Sequence, residues 1–246
     1  FPFAFVGSVR CVSGQVAYFI EVLQQNTSLQ YLSLCRNYLS DETLSRVILA
    51  LVGHPMLEKL RLYRSDGLDH STRALCSLLD SGSCMLSTLS FELQSNSSLK
   101  IDVGPLAEAI ERYGGIRYLN LSHNRLDIRD LATLLDAASR CKTLVSLNVS
   151  YNNIGNLELL DGIMQTHTPS RLRRLDLRGN PLGDDDRAAL AKLVKDHPEL
   201  QDFGFSEEEE ALLITPDLQY ILDFNRSGRV LLTKPSTPLS IWATVL

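Results

Sequence analysis

The sequence is short of the residues that usually carry chemistry. Its 246 positions hold one tryptophan, three methionines and five histidines. The five cysteines, at 11, 35, 76, 84 and 141, make no Cys-X-X-Cys pair. That excludes the usual zinc spacing and a thioredoxin-type redox pair. An odd, scattered set is also no disulfide framework. The cysteines read as small isolated hydrophobes in a reducing compartment, which places the chain inside the cell, whether in cytoplasm, nucleus or an organelle. Asn-X-Ser/Thr sequons at Asn26, Asn96, Asn120, Asn148 and Asn225 pull the other way. They read as products of an Asn- and Ser-rich pattern, since Asn120 and Asn148 fall inside its strands. No apolar run approaches about 18 residues, so no membrane span is expected. A net charge of −5 gives no global case for binding nucleic acid. Neither a P-loop nor GxSxG nor HExxH occurs, so no cofactor is implied. The chain opens on Phe1 rather than Met and reads as a fragment or processed form.

What is present is a pattern. In "LVSLNVSYNNI" (144–154), Leu144, Leu147, Val149, Asn152 and Ile154 sit at offsets of 0, 3, 5, 8 and 10. This fits neither the strand period of 2 nor the helix period of 3.6 along its whole length. The same spacing starts at Leu29 ("LQYLSLCRNYL"), Ile116 ("IRYLNLSHNRL") and Leu172 ("LRRLDLRGNPL"). Looser copies start at Leu57 and Leu86, and a last one, "LQDFGF", starts at Leu200 and stops after Phe205. Successive starts are 28, 29, 30, 28, 28 and 28 residues apart, and Phe1, Ala4, Val6 and Cys11 fill the same slots weakly one period earlier. A period held across a chain is stronger than any single motif.

Each unit reads as a short strand, a turn, a helix and a return loop. After Ile116, Leu119 and Leu121, the segment 128–139 repeats apolar residues at Ile128, Leu131, Leu134, Leu135 and Ala138, one face of a helix. In the copy from Leu172, acids 184–186 open a helix that ends near Lys195 and His197, with Pro198 stopping it. No unit can bury its apolar face alone, so the strands must stack into one parallel sheet with the helices outside it. Helices are wider than the ~4.8 Å strand spacing, so the stack must curve with the strands inside. Asn37, Asn124, Asn152 and Asn180 fall where each chain leaves its strand, and a side-chain amide there can satisfy backbone groups stripped by the turn. Ser65 and Gln94 take that slot in the two looser copies.

The motif LxxLxLxxNxL at this period resembles the leucine-rich repeats of the ribonuclease-inhibitor-like class. The resemblance covers residues 1–206, about seven repeats plus a terminal strand, and implies an α/β horseshoe with a concave sheet. The class includes inhibitors, immune-receptor sensor domains and an activator of a nuclear-transport GTPase. Fold alone does not choose among them. The expectation is a non-enzymatic scaffold that binds a protein on its concave face. The alternatives are a regulator of a small GTPase and a ubiquitin-ligase substrate adaptor.

Slots 3, 5, 7 and 8 of each copy are expected to face outward. Tyr31 and Arg36 come from one copy, and Lys59, Arg61, Tyr63 and Arg64 from the next. Tyr118 and His123, then Tyr151, then Arg174 and Arg178 follow. Local basic groups on an acidic chain suggest an acidic protein partner, and Tyr and Arg are the residues that anchor interfaces. Of the histidines, only His123 occupies an inner slot; Ser122 adjoins it in sequence, the next copy offers Ser150 and Tyr151, and a surface role is expected for it rather than a catalytic one. The acidic "SEEEE" at 206–210 fits a helix start as well as a regulator's acidic patch. Residues 207–246 read as a C-terminal capping segment: a short helix, a Pro216-led helix with Leu218, Ile221 and Leu222, and a Pro-led end carrying Trp242. Two helices of this kind loosely echo a ubiquitin-ligase adaptor box, but the cysteine of its first helix is absent, Leu222 standing nearest.

Overall fold

The computed structural model describes residues 3–6, 13–35, 39–64, 69–93, 100–164 and 170–227. Eight parallel strands form one sheet in chain order. They are β1 (Phe3–Val6), β2 (Leu29–Leu34), β3 (Lys59–Arg64), β4 (Thr88–Leu93), β5 (Tyr118–Asn120), β6 (Ser146–Asn148), β7 (Arg174–Asp176) and β8 (Asp202–Gly204). Between them run α1 (Ser13–Gln25), α2 (Asp41–Leu49), α3 (Asp69–Leu79), α4 (Val103–Tyr113), α5 (Ile128–Arg140), α6 (Leu160–Ile163) and α7 (Arg187–Asp196). Two further helices, α8 (Glu207–Leu213) and α9 (Pro216–Ser227), follow β8.

The register follows the repeat. Leu32, Leu60, Leu89, Leu119, Leu147, Leu175 and Phe203 are successive partners from β2 to β8. All are buried. The slot-1 residues Leu29, Leu57, Leu86, Ile116, Leu144, Leu172 and Leu200 are buried beneath them, and the helices close the other side of one continuous core. This is a leucine-rich-repeat solenoid, with an unbroken sheet on one side and helices on the other.

Helix starts are tied to their neighbours. Asp127 and Asp130 form a reciprocal capping box on α5, and Lys100 Nζ bridges both carboxylates at 2.5 and 2.7 Å. The Asp41 carboxylate, in the first turn of α2, reaches the next unit and accepts from the amides of His70 and Ser71 at 2.9 and 3.1 Å. It thereby satisfies the open N–H groups at the start of α3.

One unit departs from the expected form. The repeat from Leu144 carries only a 3-10 turn (Leu157–Leu159) and the four-residue α6, where α5 has thirteen residues and α7 has ten. After the repeats, Leu213 on α8 and Leu218 and Leu222 on α9 are buried in the same core cluster. Asn225 Nδ2 of α9 donates to Leu200 O at 2.8 Å.

Candidate functional site on the exposed sheet face

Two rows of residues cross the face of the sheet that the helices leave open. One runs Tyr31, Lys59, Thr88, Tyr118, Ser146, Arg174, Asp202. The other runs Ser33, Arg61, Ser90, Asn120, Asn148, Asp176, Gly204. Tyr118 is 48% exposed, and its neighbours in the row, Thr88 and Ser146, are short. Outward facing is not uniform across the four slots. Ser33, Ser90, Ser122 and Ser150 are buried, because small side chains there are covered by larger neighbours. Leu93 in slot 8 of the third copy belongs to the core.

Slot 8 is built by the backbone. His123, Tyr151 and Gly179 all lie in the left-handed region, at φ of 59°, 55° and 68°. The chain turns sharply out of the strand there, which side chains tolerate reluctantly. The turn stacks the His123 ring on Tyr151, with centroids 4.7 Å apart and planes 6° from parallel. On its other side Tyr151 lies over Gly179, where a Cβ would come 2.4 Å from Tyr151 Cδ1. Tyr151 nevertheless remains 50% exposed.

The arginines of the sheet face do not stand alone. Arg61 faces Glu92 at 3.6 Å, and Glu92 Oε1 also accepts from Ser90 Oγ at 3.0 Å and Asn120 Nδ2 at 2.8 Å. Arg174 pairs with Asp202 at 2.9 Å and lies 3.8 Å from Asp176, which Arg178 approaches to 3.6 Å. Arg226 of α9 adds a contact to Asp202 at 3.4 Å. Arg61, Arg174 and Arg178 are thus each halves of acid–base pairs. Lys59 is exposed, and Tyr31 and Tyr63 are half-buried. Arg36 and Asn37 lie outside the described residues, as do Ser65, Gln94 and Trp242.

Beneath the face runs an asparagine ladder. Asn124 Nδ2 donates to Phe91 O at 2.7 Å and Ser122 O at 3.0 Å. Asn152 Nδ2 reaches Leu121 O and Val149 O at 3.1 and 2.8 Å, and its Oδ1 accepts from Asn124 N and Leu126 N at 2.8 and 3.0 Å. Asn180 Nδ2 donates to Val149 O and Leu177 O, and its Oδ1 accepts from Ile154 N. Each amide thus links its own turn to the preceding one. A second column was not expected from the sequence. The side-chain oxygens of Asn120, Asn148 and Asp176 accept from the backbone N–H two residues on, at 2.9, 2.9 and 3.2 Å. Its signal was the recurrence of Asn or Asp in slot 5.

His54 and His197 serve the fold. His197 is buried and its Nδ1 lies 2.9 Å from Ser170 Oγ; burial pushes its pKa down, against a smaller upward push from Asp196. His54 is buried and its pKa is likewise lowered by burial. His167 lies outside the described residues. Among the described residues no group of three or more His, Cys, Asp or Glu could hold a metal, and no helix is long and apolar enough to cross a membrane. The glutamates at 207–210 open α8: Ser206 Oγ accepts from Glu209 N, and Glu209 returns Oε2 to Ser206 N at 2.8 Å.

Comparison with known proteins agrees with the fold. The sequence model of the family described as Leucine Rich repeat matches residues 140–157 and 170–191. Among curated proteins, the Tonsoku-like protein of Mus musculus is 33% identical over 128 residues, which is 49% of this chain and 9% of that protein. The Tonsoku-like protein of Bos taurus is 34% identical over 99 residues, covering 39% of this chain and 7% of its own length. The matched region thus spans less than a tenth of either relative.

Proposed function

We propose that this chain is a non-enzymatic protein-interaction module of the ribonuclease-inhibitor-like class, and that it holds a protein partner on the concave face of its sheet. The carrying observation is the two half-exposed tyrosines Tyr118 and Tyr151, the first between the short side chains of Thr88 and Ser146. Tyr151 is moreover held rigid between His123 and Gly179. Large, pre-oriented tyrosines bury much area at little entropic cost and dominate binding energy where they occur. Arg61, Arg174 and Arg178 contribute as halves of ion pairs, which favours a partner bringing both charges over a purely acidic one. Lys59 is an exposed cation of the same face that lacks an ion pair among the described residues. Free thiols at Cys76, Cys84 and Cys141 support an intracellular setting. The burial of Leu213, Leu218 and Leu222 supports a capping role for the segment from 207 onward. Of the acidic run that suggested a GTPase regulator, Glu209 serves the α8 cap, while Glu207, Glu208 and Glu210 are exposed.

The test is affinity purification with quantitative mass spectrometry, followed by binding of the recovered partner to purified variants. Tyr118→Ala with Tyr151→Ala is expected to weaken binding by ~30-fold or more, the scale of interface anchors. The melting curve should stay within a few degrees of wild type. A folded double variant that binds as tightly as wild type would remove the concave face from the reading.

A further inference from the structure

The shortened α6 leaves something behind. In the other units a full helix covers the core between neighbouring repeats. Here the four residues of α6 stop early, and α7 presents the small side chains Ala188 and Ala189 to the gap. A Cβ at Gly162 would meet nothing within 4 Å. The result is a half-open cavity of about 200 Å³ between α6 and α7, on the helix side of the molecule. Its apolar walls include Leu157, Leu160, Met164, Ala189 and Leu193, and the buried His197 side chain also lines it.

The rim carries Glu158, Asp161 and Asp196 against a single cation, Lys192. Lys192 is taken by an ion pair with Asp161. Glu158 and Asp196 have no ion-pair partner among the described residues, so the mouth is negative. An apolar cavity of roughly 150 Å³ is enough to hold a benzene ring. This one admits an aromatic ring or a branched aliphatic side chain from outside, and its rim favours a cation beside it.

We infer that this cavity is a second docking site, separate from the sheet face, for a partner's peptide segment presenting one large apolar or aromatic side chain flanked by lysine or arginine. The two features that define the ligand come from different causes. The apolar hole lies beside the short α6, and the charge preference follows from two rim carboxylates without an ion pair among the described residues.

The probe is acetyl-Lys-Phe-Lys-amide, titrated into the full chain with ¹³C-labelled methyl groups and followed by NMR. Saturable shifts are expected at the methyls of Ala188, Ala189 and Leu193. Affinity should be at least fivefold better than for acetyl-Glu-Phe-Glu-amide or acetyl-Lys-Ala-Lys-amide. Ala188→Phe, which places a ring over the mouth, and Glu158→Lys, at an exposed position where folding is not at stake, should each weaken binding at least fivefold. Equal affinity for the three peptides, shifts that never saturate, or binding unaffected by Glu158→Lys would overturn the proposal. So would nuclear Overhauser contacts between Trp242 and these methyls in the free chain, because the chain's own C-terminal segment would then hold the cavity.

Discussion

The amide of Asn152 faces a carbonyl of the preceding strand, carbonyls of its own turn, and two backbone N–H groups of the preceding turn. Removing it strands buried polar groups, each costing roughly 1–3 kcal/mol when left unpaired. Asn152→Ala should therefore destabilise the chain by at least ~2 kcal/mol in urea denaturation. Asn124→Ala should cost less, since Asn124 Oδ1 has no partner among the described residues and only its donor side is lost. At this scale the sequence was legible in parts. The spacing marked the asparagines. What it could not show was that Arg61, Arg174 and Arg178 have carboxylates waiting on their own or an adjacent strand, because the lateral order of side chains across a sheet depends on register and rotamer. The pairs Arg61–Glu92 and Arg174–Asp202 join residues about one repeat apart.

Among the elements, α8 shows how a short helix is made to persist. Seven residues are marginal for a helix alone. Here the Ser206–Glu209 box closes its first turn, and Glu209 Oε1 also accepts from Gly179 N at 2.7 Å, fastening α8 to the turn after β7. Ser206→Ala should cost about 1 kcal/mol, the usual worth of such a cap. Glu209→Ala should cost more, and should also speed amide hydrogen exchange at Gly179, which no loss confined to α8 would do. The strands and most helices could be read from apolar spacing. The truncation of α6 could not. Its segment "LELLDGIM" (157–164) holds enough leucine for a helical face, so the apolar count alone does not mark its end at Ile163.

Taken whole, the molecule keeps two histidines neutral inside. His54 and His197 have pKa values lowered by burial, so the folded chain resists protonation that the unfolded chain accepts. Below the ordinary histidine value of ~6.5 the unfolded state binds more protons, and stability must fall as pH drops. Urea midpoints measured from pH 7.5 down to 5.0 should decline, and the decline should be shallower for His197→Gln. The overall architecture was the most legible level of all, because a 28- to 30-residue period fixes strand order and parallel direction together, and the eight strands lie side by side in chain order. That order has a mechanical side. The sheet's hydrogen bonds lie along the solenoid axis, one rank between each pair of units. A pull between the two ends loads those ranks in series, so the weakest parts first and the rest need not yield with it. Force across the stack meets the stiff covalent strands instead. The chain is thus built as a spring lengthwise and a beam crosswise, and a partner spanning several strands would act as a splint that ties the ranks into one.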